Sequence, residues 1–282
     1  MPTVTDKRDI VLRDLPPLSP MAMKLVGKLA RTDVDYAEVE RMIEKDTILC
    51  AALLRTVNSA RYSRGKEVSR VRDAMVRLGS SKLRRLALSL TVSNLFGRAK
   101  VGSPWSQLRF NLHSAAVGVL VEILCSKAPV EFSQAAFVAG LLHDVGKFAI
   151  AVNLPSEYNR VVALWREHGS PLTSIADFEH SVLGFDHAHV SGVMLARWEM
   201  PDHVHRAVAL HHNPVDAEST VSLSRALNLA DHFVNTIGMM TEPAPEQMGN
   251  TCALELPGYP LDHEEIAAQF AVEYEEFREF LL

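Results

Sequence analysis

Three polar residues interrupt the most apolar stretch of the chain. The segment AAFVAGLLHDVGKFAIAV, residues 135–152, carries His143, Asp144 and Lys147 among side chains that otherwise belong in a core. On a helix His143 and Lys147 stand four apart and Asp144 and Lys147 three apart, so they share a face. Unpaired polar groups buried in such surroundings cost kilocalories each, so these residues need partners. An adjacent His-Asp pair directs two ligand atoms towards one point, and a carboxylate can bridge two cations. The plainer alternative is a satisfied core histidine beside a capping aspartate.

More residues of the same kind lie along the chain at helical positions bordering apolar faces. His113 sits in FNLHSAAVGVLVEIL, His187 in FDHAHVSGVMLARW, His211 and His212 end AVALHHNP, and Asp231 sits in SRALNLADHFVN. Five histidines and two aspartates of this kind are what a His/Asp metal site requires. Imidazole and carboxylate suit zinc, iron, manganese or nickel. Cys50, Cys125 and Cys252 are far apart and form no CxxC pair, which excludes a disulfide framework and a thiolate zinc cage. Other histidines carry weaker signals. His189 points away from His187 on a helix, His180 reads as a loop or cap, and His203 and His205 read as solvated. Asn58 reads as a helix-ending hydrogen-bonder, and Met194, Trp198 and Met200 as core.

The elements that must position these residues are helices. The chain has 282 residues and 31.2 kDa, 48% hydrophobic and 22% charged, which excludes a disordered or collagen-like chain. Strand-like alternation is missing, while apolar residues recur at three- and four-residue spacing, as in Ala37, Val39, Met42, Ile43 and in Leu83, Leu86, Ala87, Leu90. Pro16-Pro17 and Pro20 open a first helix, Asp33 or Asp35 can cap a second, and Asp46 or Thr47 a third that runs towards Asn58-Ser59. Arg64-Gly65 reads as a turn, and Leu78-Gly79-Ser80-Ser81 as a helix stop followed by a new cap. Beyond Gly102-Ser103-Pro104, helical patterns are expected at about 105–127, 132–152, 155–168, 184–199, 201–212 and 218–238. A Pro-rich loop at 241–260 and an acidic helix at 261–282 follow.

Charge divides the chain at the same break. Residues 1–100 hold 20 Lys and Arg against 11 Asp and Glu, and the remainder 9 against 23; all 12 histidines follow residue 112. The basic run Arg70, Arg72, Arg77, Lys82, Arg84, Arg85 could meet phosphate backbones. Without a recognition helix, an aromatic platform or a glycine-rich cradle, docking onto the acidic half or onto another subunit is as good a use of it. Uninterrupted apolar runs fall short of the ~20 residues of a membrane span, and the N-terminus has no apolar signal region. The expectation is a cytoplasmic protein without membrane or nucleic-acid partners.

The order His113, His143-Asp144, His187, His211-His212, Asp231 resembles the HD superfamily of metal-dependent phosphohydrolases, especially its HD-GYP and HDOD branches. The first half is similar to HDOD (HD-related output domain) sequences almost throughout: Leu15–Ser19 matches the family's Leu-Pro-x-Leu-Pro opening, Asn58-Ser59-Ala60 its Asn-Ser-Ala turn, Leu78-Gly79 its Leu-Gly, and Trp198–Pro201 its Trp-x-x-Pro. The resemblance covers 11–235 and implies an all-α, multi-helix bundle: a basic helical part at 11–100 packed on an HD-like core at 104–238, with 239–282 as an appended loop and helix. HD-GYP proteins carry Gly-Tyr-Pro soon after the His-His pair. Here Asn213–Thr220 follows it, and Gly258-Tyr259-Pro260 reads as coincidence. Arg109 stands where some HD-GYP members have an acidic ligand, which speaks against a third metal and against cyclic di-GMP hydrolysis.

The resemblance implies a signal-transduction module, and the full ligand set implies that it retains a divalent metal site. Two ions about 3.5–4 Å apart could activate a bridging water. Asp144 would bridge them, His113, His143 and Asp231 completing one and His187, His211 and His212 the other. Asp144 and Lys147 are the catalytic candidates, Lys147 as a point charge for a phosphate oxygen or, alternatively, as a lysine snorkelling at a helix edge. The alternative function is a metal-dependent phosphohydrolase acting on a nucleotide or phosphoester. With no receiver or cyclase segment in the sequence, the signal is expected to arrive through a separate regulatory protein or a small ligand, to a monomer or a homo-oligomer.

Overall fold

The structure, a computed structural model, describes residues 7, 11, 20–29, 34–59, 67–96, 101–170, 173–215, 220–246, 252–278 and 281. Leu15–Ser19, Asp33, Ala60 and the Arg64-Gly65 turn lie outside them. Among the described residues the fold is all-α, with two isolated β-bridges and no sheet. The first part comprises α1 (Pro20–Leu29), α2 (Tyr36–Lys45), α3 (Thr47–Val57), α4 (Val71–Leu78) and α5 (Ser80–Phe96). Asp35 caps α2 through the amides of Ala37 and Glu38, and Asp46 caps α3 through those of Ile48 and Leu49. Asn58 ends α3 as expected, and its amide group also holds both Val68 N (2.8 Å) and Val68 O (2.7 Å). Gly79, at φ 82°, turns the chain from α4 into α5.

The second part is built around α6 (Gln107–Lys127), buried almost all round from Phe110 to Leu124, as befits a helix apolar on every side. Packed with it are α7 (Ala136–Leu142), α8 (Val145–Asn153), α9 (Pro155–His168), α10 (Ile175–Leu183), α11 (His187–Arg197), α12 (Asp202–Ala209), α13 (Leu223–Thr236) and α14 (His263–Arg278). Helices α7, α13 and α14 lie directly against α6, and α11 joins α8 to α12. Met194, Trp198 and Met200 are core residues, as their spacing predicts.

Two expectations need correction. The stretch 132–152 is not one helix: His143 and Asp144 form a turn between α7 and α8, and Asp144 leaves helical geometry at φ −98°, ψ 7°. Apolar periodicity runs through this turn and hides it. His180 is not in a loop but on α10, a helix whose mixed polar sequence shows little periodicity. By length and composition alone the two most apolar stretches, 107–127 and 133–153, would pass for membrane spans. They are 67% and 94% buried inside the fold over their apolar windows, so here they serve as core.

Part of the basic run is consumed internally. Arg85 pairs with Glu122 on α6 (2.6 Å) and Glu273 on α14 (2.8 Å), Lys82 with Glu276, and Arg84 donates to the Gln134 carbonyl. Lys127 pairs with Glu265, so the acidic face of α14 spans from α5 to the end of α6, while Ile266, Phe270, Tyr274 and Phe277 bury its other face.

Candidate metal centre

Close helix contacts gather the polar residues. A Cβ on Gly140 of α7 would lie 2.5 Å from Gly118 Cα on α6, and one on Gly146 of α8 would lie 2.2 Å from His187 O on α11. Only glycine permits these approaches, which bring His113 to His143 and His187 to Asp144. His211 and His212 follow α12 in a turn, with His211 O held by Asn228 Nδ2 of α13 at 2.7 Å. That contact sits three residues from Asp231 on the same helix.

All seven sequence-predicted ligands converge, forming three overlapping groups: His187, His211 and His212; His113, His143 and Asp144; His143, His211 and Asp231. Every one except His212 is buried, and His212 is half-buried. Asp144 lies between the groups: Oδ1 is 3.3 Å from His143 Nε2 and 3.1 Å from His187 Nε2, and Oδ2 is 3.3 Å from His113 Nε2. Asp231 Oδ1 is 3.2 Å from His113 Nε2 and 3.5 Å from His143 Nε2. Asp144 stands at the start of α8 but makes no side-chain cap, so the capping alternative does not describe it.

The ring orientations carry the chemical meaning. His113, His143 and His211 each face a backbone carbonyl with Nδ1, that of Met239, Gly140 and Val208 respectively, at 2.7 Å. A carbonyl only accepts, so each Nδ1 is the donor and the neutral ring turns an Nε2 lone pair inwards. His187 Nδ1 faces Glu179 Oε2 (2.6 Å), which also accepts from His187 N (2.7 Å). His212 Nδ1 meets Ser174 Oγ at 3.2 Å. Nε2 atoms therefore confront one another, His113 with His143 at 3.3 Å and His187 with His212 at 2.9 Å, while His211 Nε2 is buried without a hydrogen-bond partner. Lone pairs so arranged repel unless a proton or a metal cation stands among them. The donor set fits a divalent transition metal, with outward-facing Nδ1 partners of the kind that orient ligating histidines.

Protonation follows the same pattern. Burial opposes charge on His113, but hydrogen bonds to Asp144 and Asp231 prevail and raise it to about 9. Burial likewise opposes charge on His187, and Glu179 chiefly overcomes it, raising it to about 10. His211 is pushed down to about 3 by burial and by His143 and His187 beside it. Asp144 is buried too, yet His143, Lys147 and His187 hold it well below the usual carboxylate range. Without metal, positive charge is favoured on His113 and His187 beside the carboxylates and disfavoured on His211 and His212.

Lys147 is not at a helix edge. It is buried, with Nζ 2.8 Å from Asp144 Oδ2 and 3.3 Å from Glu242 Oε2, and these carboxylates hold its charge in place despite burial. Arg109 acts as a strut rather than as part of the ligand cluster: Nε donates to Thr241 O (3.0 Å) and Nη2 to Pro104 O (2.7 Å). Thr241 Oγ1 in turn reaches Asp144 Oδ2 at 3.4 Å. Glu179 and Glu242 escaped the sequence reading. Glu179 stands eight residues before His187 on the overlooked helix, and Glu242 lies in the segment read as a loop. His189 is on α11 without joining the cluster, His180 faces Asp186 at 3.5 Å, and His205 faces Asp202 at 3.3 Å. His203 is not simply solvated, since its ring stacks on Phe132 at 4.3 Å. Gly258 forms a turn at φ 78° beside Tyr259, which packs against the core.

An all-helical domain with buried histidines and aspartates drawn to one point is what the resemblance to HD-related helical domains implies. Within that class the chain belongs to the HDOD domain family, whose profile matches residues 15–214. Its fold is that of an HDOD domain protein of unknown function from Geobacter sulfurreducens, with a TM-score of 0.76, 23% identity and 96% of both chains covered. An uncharacterized protein of Treponema pallidum is 23% identical over 228 residues, 79% of this chain and 43% of that protein. The cyclic di-GMP phosphodiesterase CdgJ of Vibrio cholerae is 36% identical over 80 residues, 28% of this chain and 18% of that protein. The chain thus spans less than half the length of either relative.

Proposed function

We propose that the domain is a regulatory HDOD module that retains a divalent metal site, with two ions held between His113, His143, Asp231 and His187, His211, His212 and with Asp144 between them. The observation that carries this reading is the set of Nε2 atoms turned inwards around Asp144. When bound, such metals supply Lewis acidity and an activated water at neutral pH. The protein's own residues hold the rings in one tautomer, exclude bulk water and keep both aspartates ionised. Signalling is supported by membership of the HDOD family and by similarity to part of a cyclic di-GMP phosphodiesterase.

A second reading, metal-dependent phosphohydrolase, is favoured by a cavity of about 430 Å³ that reaches His212, Asp231 and Lys147. A phosphoester could approach the cluster through it. The test is metal content by inductively coupled plasma mass spectrometry for the protein and its Asp144→Ala variant. About two equivalents of a transition metal, lost in the variant, support the site; a metal-free protein that melts identically to the variant overturns it. Turnover of a generic phosphoester by the metal-loaded protein then separates hydrolase from module.

A further inference from the structure

The cavity beside the cluster has a charge pattern that limits what fits it. Among its described lining residues Lys147 is the one Lys or Arg, and it faces Asp144 and Glu242. Carboxylates outnumber it: Glu242 lies deep, 5% exposed, with Oε1 buried and lacking a hydrogen-bond partner, and Asp177 stands exposed in the first turn of α10. Asp186 also lines the cavity but is committed to capping α11 through His189 N at 2.8 Å. The remaining wall is rich in neutral hydrogen-bonding groups, including Asn228, Asn235 and Ser174.

We infer that the cavity takes a small phosphomonoester whose other end is cationic or rich in hydrogen-bond donors, and that it rejects ligands with a second anionic group. This rests on the metal reading above, since the phosphoryl group would sit at the cluster. The tail then lies among Glu242, Asp177 and the amides. A second phosphate or a carboxylate there would meet like charge with no free lysine or arginine among the described lining residues to receive it, at separations where such repulsion is substantial. Glu242 contributes twice, by neutralising Lys147 and by leaving an acceptor in need of a donor.

The experiment uses three matched probes, phosphoethanolamine, n-propyl phosphate and 3-phosphonooxypropanoate, titrated calorimetrically into the metal-loaded full chain, with metal content measured on the same samples. The expected order is phosphoethanolamine tightest and 3-phosphonooxypropanoate weakest, the two differing at least about tenfold. Asp177→Asn, on the exposed first turn and away from the core, should narrow that difference, and Glu242→Gln should narrow it further. Equal affinities, a reversed order, no binding by any probe, or a difference unchanged in both variants overturns the inference. Full metal content with a flat order leaves the metal reading standing, whereas absent metal removes that reading itself.

Discussion

Glu179 offers the sharpest test of how the cluster is oriented. Its Oε2 accepts from both His187 N (2.7 Å) and His187 Nδ1 (2.6 Å) while 1% exposed. In Glu179→Gln the side chain keeps its size, and an amide oxygen placed where Oε2 stands still accepts from both donors, but without the carboxylate's charge. The variant exchanges charge-assisted hydrogen bonds of about 1.5–3 kcal/mol for neutral ones of about 0.5–1.5 kcal/mol. Loss of such an orienting partner typically weakens metal binding by about 10–100-fold, or about 1.4–2.7 kcal/mol. His187 groups with His211 and His212, so the loss should fall on one ion of the proposed pair. Competition with a chromophoric chelator should then turn biphasic, one metal leaving at lower chelator concentration than in the parent. A uniform weakening of both ions, or a change under about threefold with unaltered melting, would refute the view that Glu179 fixes the ring.

Gly146→Ala places a methyl 2.2 Å from His187 O and 2.8 Å from Ser191 N, both backbone atoms that cannot swing aside. Prising α8 from α11 should cost about 1–3 kcal/mol, only partly offset by alanine's helix preference of about 1 kcal/mol. Urea unfolding should register the loss, together with weaker metal binding. Metal-free protein should also lose stability as pH rises through about 9 to about 10, the folded-state values of His113 and His187. Their contribution is complete below the unfolded value of 6.5, because raised pKa values favour the protonated fold, and it is shed as those protons leave. Melting curves against pH should show that decline without metal and a much smaller one with it, and metal uptake at neutral pH should release protons.

The parts of the site that could be read from sequence share one physical signature. His113, His143, Asp144 and Asp231 are polar residues whose sequence neighbours are nearly all apolar, so burial had to be offset by partners. His187 and His211-His212 border such helices. Caps were legible for the same local reason, as Asp35, Asp46 and Asn58 show. Glu179 was hidden because α10 mixes acids, histidine and apolar residues too evenly for periodicity to reveal it. Glu242 was hidden because its role depends on α6 and α8, far away in sequence, through Arg109 holding Thr241 and through Lys147. The turn at His143-Asp144 was invisible because its flanks are apolar on both sides, and only the convergence of α6, α11 and α13 shows why it is there. Although α6 has the length and composition of a span, its burial inside the fold makes it a core helix.

The family match ends at residue 214, yet Asp231 lies on α13 and the α14 helix that covers α6 begins at His263. A fragment cut at the matched boundary would therefore lose a carboxylate of the cluster and the Met239 carbonyl that orients His113. It would also strip Phe270 and Phe277 from the core and leave Arg85 without Glu273. The side-chain cluster extends beyond the matched residues, so expression limits drawn at the edge of the match would remove part of it together with the helix that covers its core.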